Sequence, residues 1–175
     1  MSEDLRFPIG KFEKPQTITA ETRDKFIKTI EALPPNLKDA IEGLSDEQLD
    51  APYRPEGWSV RQLVHHIADS HLNSFCRFKL GLSEDMPTIK PYDEAVWAEM
   101  ADSKNAPVEL SMSIIDGLHA RWTRLLKSMT NDDFAKQINH PEHGAMTLGE
   151  LLALYDWHSR HHTAHITKLR ERNDW

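Results

Sequence analysis

The sequence predicts an all-α protein, a four-helix bundle. Four long segments carry apolar residues at helical spacing, strand-type alternation is scarce, and Ser/Thr-x-x-Gln/Glu start signals head two of the long segments. The chain has 175 residues. That is enough for one domain with a sizeable core and short for two, so residues 1–175 are expected to form a single domain.

Met1 to Pro15 is punctuated by proline and is expected to lie on the domain as an extended N-terminal arm. It has acidic residues and no apolar run, so it does not read as a secretory signal. The first long helix starts after Thr19, whose side-chain oxygen can cap it, and Phe26, Ile30 and Leu33 follow at helical spacing. Pro34 and Pro35 are expected to end or kink it; "NLKDAIEGL" then resumes the helix and Gly43 stops it. "SDEQLD" opens a short turn-like helix and "APYRPEG" is a loop.

The second long helix, "SVRQLVHHIADSHLNSFCRFKLGL", begins with a capping box of Ser59 and Gln62 and places Val60, Leu63, Ile67, Ser74 and Phe78 on one face. Ser83 to Pro91 reads as a loop, and "YDEAVWAEM" as a short helix or ordered crossover. "APVELSMSIIDGLHARWTRLLKSM" is the third long helix. "KQINHPEHGAMT" reads as a hairpin or loop with His-Pro and His-Gly at its turn. The fourth long helix, "TLGELLALYDWHSRHHTAHITKLRER", has a capping box of Thr147 and Glu150, and basic residues in its last turn complement the helix dipole.

Bulk properties narrow the function. A net charge of −7 with interspersed Lys and Arg argues against nucleic acid as a partner. The chain has no apolar run long enough for a membrane span. Cys76, the single cysteine, cannot close an internal disulfide, which fits a cytoplasmic location. A small-molecule substrate is expected.

The stretch "HSRHHTAH" puts His158, His161, His162 and His165 on the fourth helix. Each helical residue advances about 100° around the axis. Leu148, Leu151, Tyr155, Ile166 and Leu169 form one apolar arc, and His158 and His162 project from it. His165 sits at the arc's edge; His161, roughly 100° from its centre, is expected to face outward or toward a partner. A lone inward histidine is usually a hydrogen-bonded core residue. Two of them one turn apart must both be desolvated, and a metal ion supplies that compensation. For a third ligand the second helix offers His65, His66 and His71. His65 lies nearly opposite the apolar face. His66 flanks that face and His71 is nearer its centre, so periodicity leaves these two open and leans toward His71. Asp69 reads equally as a ligand or ligand support and as an exposed helix carboxylate.

In order along the chain, "FPIGKFEKP", "YRPEGWSVRQLVHHIADSHLNSFCRFKL", "PTIKPYDEAVWAEMADSK", "LHARW" and "WHSRHHTAHI" resemble the DinB-like metal-binding superfamily, and within it the YfiT subfamily of metal-dependent hydrolases and bacillithiol S-transferases. The name is shared with unrelated DNA-damage genes and implies nothing about DNA. The resemblance implies an up-down-down-up four-helix bundle, often a homodimer. It also implies one divalent ion per chain, zinc or nickel, held by His66 (the histidine before Ile67-Ala68), His158 and His162, with His161 and His165 left in supporting or structural roles.

Three neutral imidazoles leave an open metal position, the mark of a catalytic site, where either water or a thiol can be activated. The resemblance favours a thiol S-transferase with a low-molecular-weight thiol as co-substrate. The alternatives are a metal-dependent hydrolase, a non-enzymatic metal-binding module, and a plain helical domain with a histidine-rich face. Tyr92, Trp97, Tyr155 and Trp157 are either pocket walls or core. Arg61, Arg77 and Lys79 either hold a thiol's carboxylates or sit on a solvated helix face. Cys76 is expected to be an inert residue of the helix core.

Overall fold

A computed structural model describes residues 4–142 and 144–175. The first three residues of the expected arm, and the His143 of the expected His-Gly turn, lie outside the described residues. Four long helices are present: α1 (Ala20–Ile41), α3 (Val60–Ser83), α6 (Val108–Ser128) and α8 (Leu148–Asn173). Short helices α2 (Asp46–Leu49), α4 (Glu94–Ala98), α5 (Ala101–Asn105) and α7 (Asn131–Ala135) connect them. A hairpin of β1 (Gln137–His140) and β2 (Gly144–Thr147) precedes α8, with Gln137 opposite Thr147.

The start signals act as expected. Thr19 accepts from the Thr22 N–H, and Ser59 with Gln62 and Thr147 with Glu150 form reciprocal capping boxes. Residue pairs give the helix directions. Thr29, Leu33 and Asn36 share a groove with Ser159, Thr163 and Thr167, and Arg170 donates to the Ala40 and Glu42 carbonyls, so α1 and α8 run parallel. His65 meets Ser111, His71 meets His119 and Phe78 meets Trp122, so α3 and α6 are parallel. Gly81 lies against Leu148, Ser70 against Tyr155 and His66 against His162, which makes α3 antiparallel to α8. The bundle is therefore up-down-down-up. Gly81 permits the approach to Leu148, because a Cβ there would stand 2.9 Å from Leu148 Cδ2.

The expected break at Pro34 and Pro35 does not occur; α1 runs through both. Proline removes the N–H that the carbonyl four residues earlier needs. For Pro34 that carbonyl belongs to Ile30, and it accepts instead from Nδ1 of His119 on α6, at 2.6 Å. With that acceptor satisfied from outside, the helix continues, and Pro34 itself packs inward.

Two apolar clusters fill the bundle. One gathers Phe75, Phe78, Trp122, Leu126, Ile138, Leu148 and Leu152. The other gathers Leu37, Val60, Leu63, Ile67, Ile115, Ile166 and Leu169. Along α3 and α8, His71, His158 and His162 fall between these levels, at the waist of the bundle, with His66 at the edge of the second cluster and His119 at the edge of the first. Two side chains differ from expectation. Cys76 is exposed rather than core, because the turn of α3 that buries Phe75 and Phe78 points the residue between them outward. Arg61 is buried rather than solvated. Its guanidinium bonds Asp50 at 2.6 Å, Asp46 at 2.8 Å and the Ala106 carbonyl at 3.2 Å, tying α2 to the head of α6. Among the described residues, no helix is long and apolar enough to cross a membrane.

Trp122 is fully buried against Phe78, His119 and Tyr155, and its indole N–H has no partner among the described residues. Trp122→Ala should cost about 3–5 kcal/mol, read as a lower urea midpoint at unchanged slope. Trp122→Phe should cost clearly less, because it also removes an unsatisfied donor. Equal losses in the two variants would contradict this account of the core.

Candidate metal centre

His66 comes from α3, and His158 and His162 come from consecutive turns of α8. Because α3 and α8 are antiparallel neighbours, the first ring is brought against the other two, 5.4 Å from His158 and 4.9 Å from His162. One ring nitrogen from each lies within 4.8 Å of the others. His66 Nε2 and His158 Nε2 are 3.3 Å apart. An ion with metal–nitrogen arms of about 2.0–2.1 Å in tetrahedral geometry sets its ligand nitrogens roughly 3.3–3.4 Å apart, so the spacing fits. His162 Nδ1 is buried without a partner among the described residues. His66 and His162 are each 8% exposed, and Trp58, just ahead of α3, packs on the His66 ring at 4.9 Å.

All three rings are neutral. Burial, with a smaller contribution from His161, pushes His66 from its ordinary 6.5 down to about 4. Burial first, then neighbouring imidazoles, holds His158 and His162 well below the usual histidine range. A neutral imidazole offers a lone pair, which is the form that binds a metal.

His71, toward which periodicity leans, is indeed the more central of the two candidates and is fully buried. Both its nitrogens are engaged within the protein: Nδ1 is 3.0 Å from His119 Nε2, and Nε2 is 3.1 Å from His158 Nδ1. It stands behind the three-histidine group rather than in it.

His161 is buried, not outward-facing. The helical count considers only the bundle, whereas the N-terminal arm covers this side of α8. Trp157 stacks on His161 at 4.2 Å and anchors the arm by donating to the Gly10 carbonyl, and Phe7 lies 6.1 Å from the same ring. His161 Nε2 is 3.1 Å from His165 Nε2, and Tyr53 covers His165 at 4.2 Å. His161, His162 and His165 form a second close grouping that shares His162 with the first. His65 is buried against α6, with Nδ1 2.7 Å from Ser111 Oγ and Nε2 3.1 Å from the Ala106 carbonyl. Asp69 does not join the group. Burial, and then Asp102, pushes its carboxyl up to about 6.

The three histidines line a pocket of about 500 Å³. Trp58, Tyr92 and Tyr155 supply aromatic wall; Arg54, Arg77, Glu56, Glu94 and Glu142 supply charge of both signs. Arg77, Tyr92 and Tyr155 thus take the pocket roles open to them. Trp97 packs on Tyr92 at 4.5 Å outside the lining, and Lys79 sits over the Phe75 ring. Sequence reasoning missed Trp58, Arg54 and His140. Only the "GWS" lead-in to α3 hinted at the first, and hairpin and loop residues carry no periodic signal.

A model of the DinB superfamily matches residues 21–166. A protein of Bacillus mycoides is 55% identical over 99% of this chain and 99% of its own length, and one of Bacillus cereus is 54% identical over 98% and 99%. Both are named "Putative metal-dependent hydrolase". Among solved structures, YfiT from Bacillus subtilis superposes with a TM-score of 0.95 at 48% identity, covering 98% of this chain and 99% of its own. It is described as "a probable metal-dependent hydrolase with an unusual four-helix bundle topology".

The depressed histidines make metal-free stability depend on pH. In the unfolded chain they titrate near 6.5, while in the fold His66, His119 and His161 titrate near 4. Below 6.5 the unfolded chain takes up protons that the folded waist does not. This part of the stability is complete above about pH 6.5 and drains away as the pH falls toward 4. The melting temperature of chelated protein should therefore drop steeply between pH 7 and roughly pH 4.5. A flat profile would mean that the rings are not held neutral.

Proposed function

The chain belongs to the DinB superfamily, and from that premise we propose that it is a metal-dependent enzyme whose His66, His158 and His162 hold one divalent ion, zinc or nickel. The observation that supports this most directly is the convergence of three neutral imidazoles on one edge of an open pocket. Imidazole suits either ion, so the donor set does not choose between them. When bound, such an ion lowers the pKa of a nucleophile at its remaining position.

The protein's own residues do the rest. Trp58 and Tyr155 border the pocket beside the histidines and limit the water that reaches them. Arg54 and Arg77, alternating with Glu56, Glu94 and Glu142, offer complements to both the carboxylates and the ammonium group of a small polar molecule. We read that molecule as a low-molecular-weight thiol, transferred through its sulfur to an electrophile. One observation favours a thiol. Among the described residues, no Asp or Glu groups with the three histidines, and a thiol, with a free pKa of about 8.5, needs less help from a base than water does. Hydrolysis of an ester or amide is the second reading, and the names of the Bacillus relatives favour it.

Titration with Ni²⁺ or Zn²⁺ tests the ligand set. His66→Ala, His158→Ala and His162→Ala should each lose tight binding, whereas His65→Ala and His161→Ala should keep it. Full affinity in His162→Ala would sink the assignment. Metal should raise the melting temperature as RT ln(1 + [L]/Kd), and chelation should leave helical content largely intact.

The nucleophile can be read with Co²⁺ in the site. The correct thiol should produce a sulfur-to-cobalt charge-transfer band, unchanged in Cys76→Ser because Cys76 lies outside the pocket lining. If no low-molecular-weight thiol gives the band, yet an ester or amide is cleaved in a chelator-sensitive way, the transferase reading is wrong and hydrolysis replaces it.

A further inference from the structure

Three histidines at the waist are joined in series. His119 Nδ1 is 2.6 Å from the Ile30 carbonyl. His119 Nε2 is 3.0 Å from His71 Nδ1, and His71 Nε2 is 3.1 Å from His158 Nδ1. A neutral imidazole has one N–H and one bare nitrogen, so each ring in such a series constrains the next. The series has a fixed start. A carbonyl oxygen only accepts, so His119 must carry its proton on Nδ1. Its Nε2 is then bare and must accept, which puts the proton of His71 on Nδ1. His71 Nε2 is bare in turn, and His158 must donate to it from Nδ1. The bare nitrogen left over is His158 Nε2, the atom that faces His66 Nε2.

Among the described residues, the other hydrogen-bonding group beside that nitrogen is Ser70, and it is already committed. Ser70 Oγ lies 3.4 Å from His158 Nε2 and 3.1 Å from the Tyr155 hydroxyl. Tyr155 spends its single proton on the Ser70 backbone carbonyl at 3.0 Å, so its oxygen accepts from Ser70 Oγ. The serine proton points to the tyrosine, so Ser70 does not claim the lone pair of His158, which faces His66.

We propose that His119 and His71 are positioning residues that lock His158 in its Nδ1–H tautomer and so aim its Nε2 lone pair at the space between His66 and His162. The Nδ1–H form is the one that a free histidine side chain disfavours, so without the series the ligand nitrogen would mostly carry a proton. The series begins at Ile30 because Pro34 has removed the helical donor to that carbonyl. His71 and His119 are buried and His158 is half-buried at the pocket, and desolvation is the leading cause that keeps each of them uncharged. The series ends at a carbonyl inside the bundle, which makes it an orienting device rather than a proton exit. The consequence for metal rests on the reading of His158 as a ligand; the tautomer assignment does not.

The direct test is a long-range ¹H–¹⁵N correlation on metal-free, full-length protein labelled with ¹⁵N-histidine. His119, His71 and His158 should each show a pyrrole-type Nδ1 and a pyridine-type Nε2. A protonated Nε2 on His158 or His71 overturns the proposal, and no variant is needed to see it. Affinity for Ni²⁺ or Zn²⁺ gives a second readout. His71→Leu should weaken binding roughly 10–100-fold, as loss of a ligand's buttress typically does. His71→Gln, whose amide oxygen can accept from His158, should recover most of that loss. Parental affinity in His71→Leu would overturn the proposal. The Nδ1–H pattern in a protein that binds neither ion would uphold the series and sink the metal assignment instead.

Discussion

A layer of imidazole can sit inside a helical bundle only while its rings stay uncharged and each nitrogen has something to meet. That constraint organises the molecule. Apolar clusters close the layer on both sides, Trp122 and Phe78 at one level and Leu63 and Ile67 at the other, and keep bulk water out. Exclusion of water depresses the histidines, and depression keeps lone pairs available. The same exclusion makes an unmatched ring nitrogen costly, so most of the rings are tied to one another, to Ser111, or to the Ile30 and Ala106 carbonyls. His66, His158 and His162 are the rings that converge on the pocket.

Much of this was legible in the sequence because it is local. Caps at Thr19, Ser59 and Thr147 mark helix starts through bonds spanning three residues. The four-residue step from His158 to His162 is a statement about one helix, and it put both rings on the inner face. The choice between His66 and His71 was not local. A helical wheel ranks inwardness, and His71 is the more inward. A ligand must border open space, and that depends on where α8 and the α4 region stand around α3.

The misplaced residues share one cause. Periodicity assumes that each helix has a buried face and a wet one. The helix α3 packs against α4, α5, α6 and α8, so Arg61 and His65, on its nominally outer side, are enclosed and paired. On α8 the arm supplies a cover that no bundle diagram contains, and His161 is buried beneath Phe7 and Trp157. The converse holds for Cys76, which lies on the strip of α3 that no neighbour covers. The hairpin and α4, minor as architecture, bring His140, Glu142 and Glu94 to the pocket, and so the least periodic parts of the chain shape the part that meets small molecules.

The prolines of α1 also bear on how the chain assembles. Excised from the protein, residues 20–41 would be a helix with a gap in its ladder, since neither Pro34 nor Pro35 can donate. For Ile30, the missing donor comes from a residue 89 positions further along. Helix α1 is therefore complete only once α6 lies alongside it. The first long helix to be synthesised has to wait for the third, and its completion reports that the waist of the bundle has closed.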